Sequence, residues 1–169
     1  MASNVESGTR LHSLVLRLST GWAILGGFVL LAVVVFNVAS VVAAAVMNKS
    51  LPGDFEITEL GVAIAAFAFL PYCQIAGLNV TADIFTAAAS RFWLAVFSLL
   101  GALVALGFGG LLLWRMYYGM LDQRTYETST AILQIPLWWA YGACLLSLAL
   151  LVLASFASVV NSLNAMVKD

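Results

Sequence analysis

Four stretches of this chain carry no charged side chain. They run between Arg17 and Lys49, between Glu59 and Asp83, between Arg91 and Arg115, and between Glu127 and Lys168. Each holds the ~20 apolar residues needed to cross about 30 Å of hydrocarbon. A peptide group in hydrocarbon must find its hydrogen bond within its own segment, so such runs predict helices. A membrane barrel would instead alternate with a period of two. The expectation is an all-α integral membrane protein with helices at about Ser19–Met47, Ile57–Leu78, Ser90–Tyr118 and Ile135–Leu163. Residues 1–18 then form a cytoplasmic N-terminal segment, 19–163 the transmembrane domain, and 164–169 a C-terminal tail.

Composition supports the same solvent. Only 9% of the 169 residues are charged, against about 25% in soluble domains, so water cannot be the medium around most of this surface. The net charge is −1, and no basic stripe is present to neutralise a phosphate backbone, which excludes nucleic-acid binding. The first apolar run is too long for the 7–15-residue core of a signal peptide. An uncleaved first helix is expected, although Ala43–Ala45 resemble a cleavage site.

Aromatic residues mark the membrane edges. Trp93 and Trp114 are ~31 Å apart at 1.5 Å per residue, which places two amphipathic rings at the two headgroup layers. Tyr117, Tyr118 and Tyr126 crowd the end of the third run, and Trp138, Trp139 and Tyr141 the start of the fourth, where Pro136 suits a first helical turn. These two ends are expected on one membrane face. Four spans put both termini together on the other face. Lysine and arginine favour the terminal side by Arg10, Arg17, Arg91 and Lys168 against Lys49, Arg115 and Arg124, a vote for cytoplasmic termini.

Intramembrane charge is the usual mark of a transport path, and no span has one near its middle. Asn37, Gln74 and Asn161 are the most polar side chains in or near the apolar runs, each suited to an interhelical bond worth ~0.6 kcal/mol. Pro71 is expected to kink the second span. Gly101, Ala105 and Gly109, and Ala154, Ser158 and Ser162, form small-residue stripes suited to close helix packing. Between the second and third spans, Asn79, Asp83, Thr86 and Ser90 share one helical face. Val80, Ile84, Phe85 and Ala88 share another, which predicts a short interfacial amphipathic helix ending near Arg91.

Catalytic chemistry has little to work with. His12 is the one histidine, and no cluster has metal-ligand spacing, so no cofactor is expected. Asp54, Glu56 and Glu59 are able to bind a cation, but carboxylates at a span end are more commonly solvated or paired. Cys73 and Cys144 read as buried thiols rather than as a redox pair.

The order of short motifs is specific. Asn37-Val38 comes first, then Leu51-Pro52-Gly53-Asp54-Phe55-Glu56-Ile57-Thr58-Glu59-Leu60 and Phe69-Leu70-Pro71-Tyr72-Cys73-Gln74. Asn79-Val80-Thr81-Ala82-Asp83 follows, then Thr130 and Ile135-Pro136-Leu137-Trp138. From Gly21 to Leu163 this series resembles the DctQ-like small membrane subunits of tripartite ATP-independent periplasmic (TRAP) transporters. Ser40, Val41 and Val42 stand where the family often has an arginine, and Asn79 where it often has histidine.

The resemblance implies a non-enzymatic part of a bacterial inner-membrane transporter. Its large multi-span partner would bind sodium and substrate and move as an elevator. A periplasmic solute-binding protein would deliver an organic acid, such as a C4-dicarboxylate or a sialic acid. The small subunit would scaffold the large one and form part of the docking surface for the binding protein. Glu56, Gln74, Asn79, Asp83, Thr130, Pro136 and Trp138 carry over as structural or interface positions, and Asn37, Glu59, Pro71 and Arg91 join them from the residue-level reading. Two alternatives remain at this level: a self-contained ion- or proton-coupled transporter acting as a homodimer, and a thiol–quinone oxidoreductase built on the two cysteines.

Overall fold

The computed structural model describes residues 2–78 and 91–167. Four helices make up almost all of it: α1 Ala2–Met47, α2 Asp54–Ile75, α3 Arg91–Thr125 and α4 Leu137–Val167. Each contains a segment long and apolar enough to cross a membrane: His12–Met47, Asp54–Ile75, Leu99–Thr125 and Leu137–Leu163. The predicted interfacial helix, with Asn79 and Asp83, lies outside the described residues. Among those described, extended pairing is limited to an isolated bridge between Ser129 and Pro136. The 46 residues of α1 make a rod of ~69 Å, more than twice the hydrocarbon thickness, so part of it must project from the membrane or tilt.

Contacts give the arrangement. Gly26 of α1 lies against Ala65 and Ala68 of α2, and Val33 of α1 against Gly61; the pairs run in opposite senses, so α1 and α2 are antiparallel. On α3, Gly109 lies against Leu151 and Val152 of α4 and Gly119 against Tyr141, again antiparallel. Near the chain termini, Val15, Ile75, Ala154 and Ala157 join α1, α2 and α4 in one buried cluster. Helix α4 therefore packs on all three others, whereas α3 packs substantially only on α4.

Lipid supplies no hydrophobic drive for helices to associate, so close approach has to do the work. A Cβ built on Gly26 would stand 2.7 Å from that of Ala68, and one on Gly61 would collide with Val33. Of the predicted small-residue stripes, Gly109 and Ala154 are buried, whereas Gly101 has open space around its Cα. Hydrogen bonds add specificity across helices. The Trp22 indole N–H donates to Ser147 Oγ at 2.9 Å, and the Asn37 amide donates to Thr58 Oγ1 at 2.8 Å.

Each helix end before a connection is closed by a residue of positive φ. Asn48 (φ 52) follows α1, Gly77 (φ 66) follows α2 and Glu127 (φ 47) follows α3. After α2, Gly77 N–H bonds to Gln74 O and Leu78 N–H to Cys73 O. After α3, Glu127 N–H bonds to Arg124 O and Thr128 N–H to Gln123 O. Both are Schellman closures, which satisfy carbonyls the helix leaves over. Glycine and asparagine tolerate this conformation; glutamate bears a steric cost there of roughly 1–2 kcal/mol.

Two outcomes test this packing by reversible unfolding in mixed micelles. Gly61→Val should destabilise the protein by about 1–3 kcal/mol through overpacking, whereas Gly107→Ala, with open space at its Cβ, should be neutral or stabilising. Glu127→Gly should raise stability by up to about 1 kcal/mol as the αL penalty is relieved.

Candidate functional site

The functional candidates gather at the end of the bundle that carries the α1–α2 and α3–α4 connections. The α2 side starts from a tight turn. Gly53 adopts φ 79 and accepts the Ile57 N–H through its carbonyl at 3.0 Å. Asp54 and Glu56 fill the first turn of α2, where the helix dipole favours negative charge. Asp54 accepts the Phe55 N–H at 2.8 Å and the Ser40 hydroxyl at 2.9 Å. Ser40 Oγ also accepts the Leu51 N–H at 3.2 Å, so one buried serine on α1 holds both the loop and the start of α2.

The α3–α4 connection folds back on itself. Thr130 N–H donates to Ile135 O at 3.0 Å, Ile135 N–H donates to Thr130 Oγ1 at 3.0 Å, and Leu137 N–H donates to Thr128 O at 3.1 Å. Pro136 sits in the bridge opposite Ser129 and offers its carbonyl to Trp139 N–H; α4 begins at the following residue. The tip of this hairpin points its N–H groups away from its own carbonyls. Glu56 receives them: Ile132 N–H donates to one carboxylate oxygen at 2.6 Å and Leu133 N–H to the other at 2.9 Å. The Thr130 hydroxyl and the Ala131 N–H face the same carboxylate. Such charge-assisted bonds are about twice as strong as neutral ones. Leu133 closes the joint by covering Gly53, where any Cβ would collide with its isobutyl group.

Several expected positions thus meet in one joint. Glu56, Thr130 and Pro136 belong to it directly. Trp138 lies beside it, its ring 5.8 Å from the Arg124 guanidinium carbon. Asn37 is one helix away, tying α1 to α2 through Thr58 and bonding to Val33 O at 2.9 Å. Glu59 is exposed, and among the described residues the three carboxylates do not converge on a common cation position. Pro71 is fully buried at the far end of α2 and Gln74 half-buried in its last turn; neither meets the joint. Arg91 opens α3. Cys73 and Cys144 are both free thiols.

Three participants were not singled out from the sequence. Ser40 had stood only as a departure from a family arginine, Arg124 only as a vote on orientation, and Gly53 only as part of a motif. Nothing local marks Ser40 or Arg124, since Ser40 lies in an apolar run and Arg124 meets a ring 14 residues further along the chain.

A family model described as tripartite ATP-independent periplasmic transporters, DctQ component, matches residues 31–165. The chain belongs to the DctQ family. Comparison with curated proteins and with solved structures finds no match. The DctQ family is a transporter component, and membership implies a large membrane subunit and a periplasmic binding protein as partners. Four helices fit for spanning agree with a multi-pass inner-membrane member of DctQ. The matched range holds every residue of the joint and excludes the first part of α1.

Hydrogen exchange checks the joint. Glu56→Gln keeps the shape but leaves one acceptor oxygen where the carboxylate has two, so the Ile132 and Leu133 amides should exchange faster than in the parent protein. Unchanged protection at both amides would show that the loop is held by its own hairpin alone.

Proposed function

We propose that this protein is the non-catalytic small subunit of a sodium-coupled, binding-protein-dependent transporter of organic acids, such as C4-dicarboxylates or sialic acids. It holds an elevator-type large subunit in the membrane while the large subunit binds sodium and solute. Its termini face the cytoplasm, and the end carrying the Glu56 joint faces the periplasm, where it helps dock the solute-binding protein.

The observation that carries this reading is the absence of charge from the middle of every span in a chain of the DctQ family. A subunit that moved an ion or a carboxylate through itself would need polar or charged groups at mid-membrane depth. The polar groups here instead bond helix to helix, as Asn37 and Trp22 do. Helix α3, attached mainly through α4, leaves Leu103, Val104, Phe108 and Leu111 exposed, an apolar face on which another membrane protein is able to pack. A subunit with fixed helix ends and apolar flanks suits a scaffold.

Reconstitution tests the reading. Vesicles holding the large subunit with this chain, supplied with the matching binding protein and a sodium gradient, should take up the organic acid. Vesicles lacking this chain should show no uptake, and vesicles with this chain alone should pass neither solute nor sodium. Full uptake without the chain would sink the scaffold role, and flux through the chain alone would favour a self-contained transporter.

A further inference from the structure

Beside the Glu56 joint, the α3–α4 connection leaves an open cleft of about 420 Å³ lined by Arg124, Glu127, Ser129, Pro136 and Trp138. It brings together one cation, one anion, a hydroxyl and an indole. Arg124 lies against the Trp138 ring at cation–π distance, and both side chains line the cleft. Among the described residues, neither Arg124 nor Glu127 enters an ion pair, and both are exposed. Glu127 stands at φ 47, a conformation that glycine would adopt at less cost. Glutamate at this position places a carboxylate on the lining of the cleft.

The cleft also lies at a defined depth. Tyr117 and Tyr118 are exposed on α3, and such rings mark the edge of the hydrocarbon. Arg124 follows Tyr118 by ~9 Å along the helix, and headgroups occupy roughly the first 5–7 Å beyond the hydrocarbon. The long arginine side chain spans the difference by reaching back toward the bilayer. Tyr126 and Trp139, the chain neighbours of Glu127 and Trp138, are exposed, as expected of a surface among headgroups.

We propose that this cleft binds the headgroup of a phosphoethanolamine lipid. The phosphate accepts hydrogen bonds from the Arg124 guanidinium, and the primary ammonium donates to the Glu127 carboxylate; the Ser129 hydroxyl is donated to Gln134 Oε1 at 2.9 Å. One charge of each sign selects this zwitterion. Phosphatidylglycerol offers Glu127 a neutral glycerol in place of a cation, and a trimethylated ammonium has no N–H to donate.

Native mass spectrometry of the full chain, alone and with its large subunit, tests this with phosphatidylethanolamine, phosphatidylcholine and phosphatidylglycerol of identical acyl chains. The parent protein should retain phosphatidylethanolamine about fivefold better than either other lipid, roughly the effect of one charge contact at a membrane surface. Glu127→Gln should abolish that preference and Arg124→Gln should weaken retention of all three lipids, whereas Lys49→Gln should change neither; unfolding curves verify that the exposed-site variants are folded. Equal retention of the three lipids overturns the proposal. So does free phosphoethanolamine competing as well as the intact lipid, which would make the cleft a soluble-ligand site. A third overturning result is unchanged lipid retention in Arg124→Gln with weakened association of the periplasmic binding protein, which would make it a protein-docking site. Co-purification with the large subunit is read separately, so failure of the scaffold role and failure of lipid selection remain distinct.

Discussion

Hydrocarbon offers a peptide group no hydrogen-bond partner except the rest of its own helix, and the architecture of this protein depends on that constraint. It forces the apolar runs into helices and moves the difficulty to their ends, where the last carbonyls and the loop amides must be satisfied by other means. The αL residues Asn48, Gly77 and Glu127 close three ends, and Ser40 anchors the connection before α2. Glu56 answers the remaining problem, the outward-facing N–H groups at the tip of the α3–α4 hairpin.

Within the membrane the same solvent removes the force that packs soluble cores, and the helices associate by fit. Gly26 and Gly61 bring α1 and α2 to a separation that a Cβ would forbid, while Asn37 and Trp22 set which residues face one another. The consequence is uneven. Helices α1, α2 and α4 share a buried cluster, whereas α3 depends chiefly on α4 and keeps much of its apolar surface exposed. Rigid polar joints at one end and unfilled apolar flanks along the spans together suit a subunit that supports another membrane protein.

The two polar features at the connected end serve different purposes. Glu56 spends both carboxylate oxygens on backbone N–H groups of the same protein, which makes it a fastening. Among the described residues, Arg124 meets a ring face and neither it nor Glu127 enters an ion pair, which leaves their charges facing outward. Both features sit on one short connection because the Schellman closure at Glu127 and the Ser129–Pro136 bridge fold it into a compact hairpin.

Hydropathy and charge are local and additive along a chain, and for that reason the four helices, the lipid solvent and the uncharged span centres were legible from the residues alone. The order of motifs likewise sufficed to indicate the family, and Glu56, Thr130, Pro136 and Trp138 were singled out without their partners being known. What they touch was decided only in three dimensions. Glu56 and Ile132 are 76 residues apart, and no periodicity says which loop will cover which helix start. Ser40 gains its role only because α1 ends beside Asp54, and Arg124 because a particular turn lays it over Trp138. The sequence by itself determined where the membrane must be. Tertiary structure decided which polar groups at its edge are satisfied within the chain and which are left facing outward.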